Sequence, residues 1–134
     1  MNIFCLGAEQ VDDLWPKFGH HIERLERETG LVVAAGIRAD LKTADKQLWG
    51  YQAGDVVTGV AITSVHKTTR GSVCEIYGAC GTESADGQID SIYSSIEQWA
   101  KDIGCTRMRV LGRKGWKRRL TGYRETGIIL EKEI

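Results

Sequence analysis

Residues 47–81 hold three runs rich in β-branched and aromatic side chains, QLWGYQ, VVTGVAITSVH and SVCEIYGACG. Gly54-Asp55 separates the first two, and the polar turn KTTRG separates the second from the third. Short runs of this kind, joined by turn residues, specify an antiparallel meander. Such a sheet has to bury at least one face, so the flanking segments must supply helices to cover it.

Two of them read clearly as helices. Val11, Leu14, Phe18, Ile22 and Leu25 recur at three- and four-residue steps, as one face of a helix requires. Asp13 is placed to cap it, Pro16 falls in the first turn, where a missing N–H is no loss, and Gly30 is placed to stop it. After the meander, Ile89, Ile92, Ile96, Trp99 or Ala100, and Ile103 mark a second long helix that Gly104 ends. LVVAAGIRADLK reads as a shorter helix through Ile37 and Leu41. A first strand over residues 2–6, a strand CTRMRVLG, a short helix KGWKRRL and a last strand ETGIILEKEI complete the chain. The order is β-α-α-β-β-β-α-β-α-β, an α/β (α+β) domain with a mixed, mostly antiparallel sheet flanked by helices. At 134 residues the chain fits one domain, 1–134.

Composition narrows the function classes. Hydrophobic residues make up 42% and charged residues 27%, as in ordinary globular proteins, and no apolar run approaches the roughly 20 residues of a membrane span. MNIFCLGAEQ lacks the basic and apolar regions of a secretory signal. Cys5, Cys74, Cys80 and Cys105 form no C-x-x-C pair and have no histidine cluster beside them, so no metal site is expected. Cys74 and Cys80 lie an even number of residues apart and so share a strand face, too distant for a bridge at about 3.3 Å per residue. All four read as reduced core thiols of a cytosolic protein.

Formal net charge is zero but unevenly spread. Residues 107–124 carry eight Lys or Arg and no carboxylate, while 81–102 carry Glu83, Asp86, Asp90, Glu97 and Asp102 against Lys101. Arg107 and Arg109 share a strand face; Lys114, Lys117 and Arg118 form a helical stripe, with Trp116 as its anchor. Arg113, Lys114, Lys117, Arg118 and Arg119 are the candidate partner-binding surface, for an acidic protein or for phosphates of nucleic acid. A solvated face paired with Glu125, Glu131 or Asp102 is the plainer alternative. Trp15, Trp49 and Trp99 fall at core positions.

The element order resembles the GNAT family of N-acetyltransferases across the whole chain. The C-terminal half carries the resemblance best: KDIGCTRMRVLG, then TGYRETGIILEKEI, in which Gly122-Tyr123 stands where the family has a Gly-Phe or Gly-Tyr pair before a final strand. LWPKF, QLWGYQ, ACG, IEQWAKDIGCTRMRVLGRKGW and LEKEI also resemble small acetyltransferase-like proteins of tailed phages and prophages. That second resemblance implies a phage-encoded protein in the host cytoplasm or with the virion.

The family resemblance implies a coenzyme A pyrophosphate loop of pattern [Q/R]-x-x-G-x-[G/A] ahead of the long helix, where a helix N-terminus attracts anions. TESADGQI occupies that place with the single glycine Gly87, no leading Gln or Arg, and carboxylates at Glu83 and Asp86. At an effective dielectric near 20, each like-charge contact costs about 2–3 kcal/mol. Asp86 or Ser84 reads better as a helix cap. The acid that many family members keep as a Tyr before the final strand falls here on Arg118, which cannot give up a proton. Glu75 is the candidate base, with a solvent-facing strand residue as its plainer reading. Tyr77, Gly78 and Ala79 are the candidate pantetheine-binding stretch. His66 and the His20-His21 pair could titrate near neutrality, the pair reading as surface or boundary residues; Cys80 reads as a buried structural thiol. The expectation is an acetyltransferase-like protein without catalysis or cofactor, acting as a virion-associated or host-interacting binding module. The alternative is an acyl-CoA-dependent N-acyltransferase with a degenerate loop, using acetyl-CoA.

Overall fold

A computed structural model describes residues 2–30, 32–81, 86–111, 120, 122–128 and 130–134. The meander forms as its sequence requires: β2 (Gln47–Ala53), β3 (Val56–Thr68) and β4 (Gly71–Gly81) pair antiparallel in succession. β1 (Asn2–Cys5) adds antiparallel to β2, and β5 (Cys105–Val110) adds parallel to β4, giving the sheet order β1-β2-β3-β4-β5. The parallel step needs a crossover, and the long helix α3 (Asp86–Asp102) provides it.

Helices α1 (Val11–Thr29) and α2 (Ala34–Lys42) cover one face. Phe18, Ile22 and Leu25 of α1 and Ile37 and Leu41 of α2 pack on Leu48, Val60, Ile62 and Cys80. α3 covers the other face, setting Ile92, Ile96 and Ala100 against Trp49, Ala61, Cys74 and Ile76. Each such aliphatic side chain contributes about 1.5–3 kcal/mol when fully removed from water. Ala100 is the residue that faces the sheet, while Trp99 is half-buried with its ring edge-on to Trp49 at 5.4 Å.

Several sequence expectations are corrected. α1 begins at Val11 after a 3-10 turn over Ala8–Gln10, with Gln10 rather than Asp13 at the N-cap position, so Asp13 lies in the first turn and Pro16 inside the helix. Gly30 does end α1, at φ +64 with its N–H on the Glu26 carbonyl. Ile103 lies past the end of α3 and is 49% exposed. No strand forms within the described residues of 125–134, where Ile128 and Leu130 stand in solvent. The expected helix over 114–120 lies outside the described residues except for Leu120, which is buried.

Cys74 and Cys80 lie on opposite faces, Cys74 under α3 and Cys80 under α1 and α2. Simple alternation fails because β4 carries an extra residue. Ile62 pairs with Gly78 and Thr63 with Ile76, which leaves Tyr77 bulged out of the ladder. One inserted residue reverses the facing of everything beyond it. None of the four thiols is paired, and Cys5 is exposed rather than in the core.

Candidate active site

The bulge builds the site. On β3, Ser64 and His66 are two residues apart and share the face that carries α1 and α2, in the part of the strand beyond Ile62. On β4, the bulge brings Tyr77 toward the same face, where it packs at the margin of the α1 and α2 core. The three side chains close a triangle. Ser64 Oγ lies 2.8 Å from His66 Nε2 and 3.0 Å from the Tyr77 hydroxyl, which is 3.2 Å from His66 Nε2. Ser64 is buried and His66 exposed, so the group runs from the sheet interior to solvent. Lys46, just ahead of β2, holds its ammonium 4.6 Å from the centre of the Tyr77 ring and 3.8 Å from the Asp40 carboxylate. A cation over a phenol ring is attracted by the ring's negative face.

Glu75 is the cross-strand neighbour of Ser64 and pairs in register with Arg109 of β5. It is not a solvent-facing strand residue. It is buried, and its Oε2 lies 3.1 Å from Arg109 Nη1. The ion pair compensates a carboxylate that burial alone would destabilise. Arg107 shares that face, as its spacing requires, and donates from Nη2 to Thr68 Oγ1 at 3.0 Å, while its Nε is buried without a partner among the described residues.

The β4–β5 pairing ends at Ile76 and Val110, where the Leu111 N–H reaches the Ile76 carbonyl. Residues 77–81 of β4 continue with no described β5 residue beside them. Tyr77, Gly78 and Ala79 stand just past the end of that described pairing: Gly78 lies under Leu25 of α1, and Ala79 packs toward α3. Gly87 lies in the first turn of α3, whereas Glu83 and the rest of 82–85 are outside the described residues, as is the side chain of Asp86. Arg113, Lys114, Lys117, Arg118 and Arg119 are likewise outside them.

Other titratable groups are structural. His21 is buried, contrary to a surface position, with its Nε2 2.9 Å from the Val57 carbonyl; burial holds its pKa below the usual histidine value. His20 stacks on it at 4.1 Å. Burial pushes the Cys74 thiol up to about 12 and raises Cys80 as well, so neither supplies a thiolate near neutrality. Tyr123 packs inward and donates to Glu97 Oε1 at 2.7 Å; burial first, and the carboxylate second, raise its pKa. Among the described residues no group of three metal-ligating side chains converges.

Sequence reasoning named Tyr77 and Glu75 but missed Ser64 and Lys46. The Ser-x-His spacing of SVH was a usable signal for two side chains on one strand face. The bulge that adds Tyr77 to them had only the neighbouring strand glycine Gly78 as a signal.

No family model matches the chain, and no curated protein matches it. Solved structures do. An aminoglycoside acetyltransferase from an uncultured soil metagenomic sample, in complex with sisomicin, superposes with a TM-score of 0.77 at 10% identity, over 99% of this chain and 95% of that one. Ribosomal-protein-alanine N-acetyltransferase from Brucella melitensis biovar Abortus 2308 gives 0.77 at 8% identity, over 98% of each. A possible acetyltransferase from Clostridium difficile 630 gives 0.71 at 14%, over 99% and 97%. Among the described residues no helix is long and apolar enough to cross a membrane. The chain is thus a single domain with the GNAT fold, a mixed five-stranded sheet flanked by helices.

Proposed function

We propose that the protein is an acyl-CoA-dependent acyltransferase that acts on an amine, with Tyr77, His66 and Ser64 as its acid–base group. The observation that carries this reading is the hydrogen-bonded triangle at the bulge, beside the end of the described β4–β5 pairing. Acyl transfer from a thioester to an amine needs a group that takes a proton from the attacking nitrogen and a group that gives one to the departing sulfur. An imidazole suits the first task near neutrality and a phenol the second. The GNAT fold and its acetyltransferase neighbours support the same class.

Acetyl-CoA is the cofactor this fold implies. The backbone groups of 77–81 on the side away from β3, which have no described β5 residue beside them, fit a pantetheine arm, whose amides need such partners, and bound acetyl-CoA would supply the activated acyl group. Tyr77 then stands at the end of that stretch, and the ion pair with Arg109 holds Glu75 beside Ser64. The earlier expectation, a phage-encoded module docking on a virion or host protein through Arg113–Arg119, draws on sequence alone. Acyl transfer has the geometric support.

Calorimetric titration with acetyl-CoA, followed by thiol release with a panel of amines, tests the proposal. Saturable binding and amine-dependent release are expected, and Tyr77→Phe should lower kcat about 100-fold with unchanged acetyl-CoA affinity. Absence of saturable binding would refute it.

A further inference from the structure

The connection from α2 to β2 brings an amine to the acid–base triangle. Gln47 pairs with Thr63, so one step further along the same register sets Lys46 level with Ser64. The turn before it fixes its backbone there. The Asp45 and Lys46 N–H groups both reach the Asp40 carbonyl, at 2.9 and 3.3 Å, and Thr43 Oγ1 donates to Asp45 Oδ2 at 2.7 Å. Ala44 takes φ +62, a left-handed conformation that a residue with a Cβ keeps only where its surroundings hold it. From that base the Lys46 side chain runs over the sheet to Tyr77, with Nζ 4.6 Å from the ring centre. The Tyr77 hydroxyl is in turn 3.2 Å from His66 Nε2.

Lys46 differs in this from Lys42, four residues earlier. Lys42 is 50% exposed and commits its ammonium to Asp12 at 2.7 Å. Lys46 is 20% exposed, and its nitrogen stands 3.8 Å from Asp40 Oδ2, well beyond the ~2.7–2.9 Å of a charge-assisted hydrogen bond. The sheltered lysine is thus the one held beside the groups that handle the protons of acyl transfer, and its nitrogen is not tied into a short ion pair with Asp40.

We propose that Lys46 is itself an acyl acceptor of this site, so that the protein acylates its own Lys46 Nζ from acetyl-CoA. The inference rests on the acyltransferase reading and adds a modification site to it. In the step, the ammonium loses one proton to water and attacks as the free amine. The Nζ–C bond forms, the C–S bond of the thioester breaks, and the second amine proton passes to His66 Nε2. The Tyr77 hydroxyl gives its proton to the departing sulfur and takes the proton of His66 in return. The product is a neutral amide, which is attracted neither to Asp40 nor to the negative face of the Tyr77 ring. The transfer therefore stops at one acyl group on this nitrogen and dissolves the arrangement that allowed it.

Mass spectrometry of peptides from the full chain, incubated with acetyl-CoA and no added amine, is expected to find an acetyl group on Lys46. The rate per chain should not depend on protein concentration, because donor site and acceptor lie in one chain. Lys42 is the internal control, since uncatalysed acylation follows exposure and would label it ahead of Lys46. His66→Ala should slow the labelling of Lys46 about 100-fold and leave that of Lys42 unchanged. In the chain alone, the Lys46 side-chain methylene resonances should lie upfield, shielded by the Tyr77 ring, and return to ordinary positions in Tyr77→Leu. Lys46 left unlabelled while added amines are acylated would overturn this inference and leave the acyltransferase reading standing. Absence of saturable acetyl-CoA binding would overturn both. Labelling that follows exposure, that survives His66→Ala or that speeds up with protein concentration would overturn the inference as well, as would unshifted Lys46 resonances.

Discussion

The β3–β4 ladder is two different surfaces joined at Tyr77. From Val60 to Ile62, opposite Gly78 to Cys80, both faces lie under helices and the facing side chains are apolar or glycine. From Ser64 to Thr68, opposite Gly71 to Glu75, the α3 face keeps Cys74 in its core, next to Ile76. The other face sets the polar Ser64, His66 and Glu75 around buried Val73. One strand pair thus serves as core at one end and as site at the other, and a single extra residue makes the change. The lesson is one of economy in space: the bulge lets β4 keep apolar residues on α3 on both sides of it, while the α1 and α2 face turns from Cys80 and Gly78 to Glu75.

The most severe test of that comparison is deletion of Tyr77. Without the bulge, strict alternation drives Glu75 into the α3 core and lifts Cys74 and Ile76 out of it. A buried unpaired carboxylate together with lost apolar burial should cost about 4 kcal/mol or more, enough to abolish cooperative thermal unfolding. A deletion variant that melts near the parent temperature would mean that the register tolerates slippage and that the two-surface description is wrong. Next in size is Arg109→Met, which strands Glu75 without its guanidinium. Because the Arg109 side chain is 45% exposed, water replaces part of the lost interaction, and about 2 kcal/mol of destabilisation in urea is expected. Glu75→Gln/Arg109→Met should recover much of that loss, since it removes the orphaned charge as well as the partner.

The same contrast explains what was readable in the chain. The α1 face, the α3 face and the meander follow from period alone, because a repeated spacing has only one way to bury itself against a sheet. Glu75 and Tyr77 were visible as polar groups on a strand. Their neighbours were not, because cross-strand partnership depends on register, and register here turns on a bulge at Tyr77 that the adjacent Gly78 permits without specifying. Strict alternation consequently misplaced Cys74 relative to Cys80. His21 was read as a surface group because its partner, the Val57 carbonyl, lies 36 residues away in sequence. The strand signal in 125–134 was legible as well, but strand formation needs an edge to pair with, and no local pattern says which edge.

Buried His21 probes the covered end of the sheet by pH. Its folded pKa lies below the ordinary value of 6.5, chiefly through burial, so the unfolded chain binds the extra proton first. Stability is then complete above about pH 6.5 and falls as pH drops through that value toward the folded pKa. The melting temperature should decline over that range, and His21→Gln, which keeps a donor for the Val57 carbonyl, should flatten the decline. An unchanged profile in the variant would place the pH sensitivity elsewhere.

The smallest effect is expected outside the sheet, where Asp12 of α1 meets Lys42 at 2.7 Å and Arg38 at 3.0 Å on α2. Hydrogen bonds from Lys42 and then Arg38 lower the carboxyl pKa. All three side chains are 40–50% exposed, so water and salt compete for each charge, and holding long side chains in place costs entropy. Arg38 also lies 4.9 Å from the Trp15 ring centre, a contact that survives loss of the carboxylate. Asp12→Asn should therefore move the melting temperature by about 1 °C or less at low ionic strength, and by nothing measurable in high salt. A shift as large as that of Arg109→Met would show that exposure does not separate these two ion pairs, and the burial of Glu75 would lose its part in the argument.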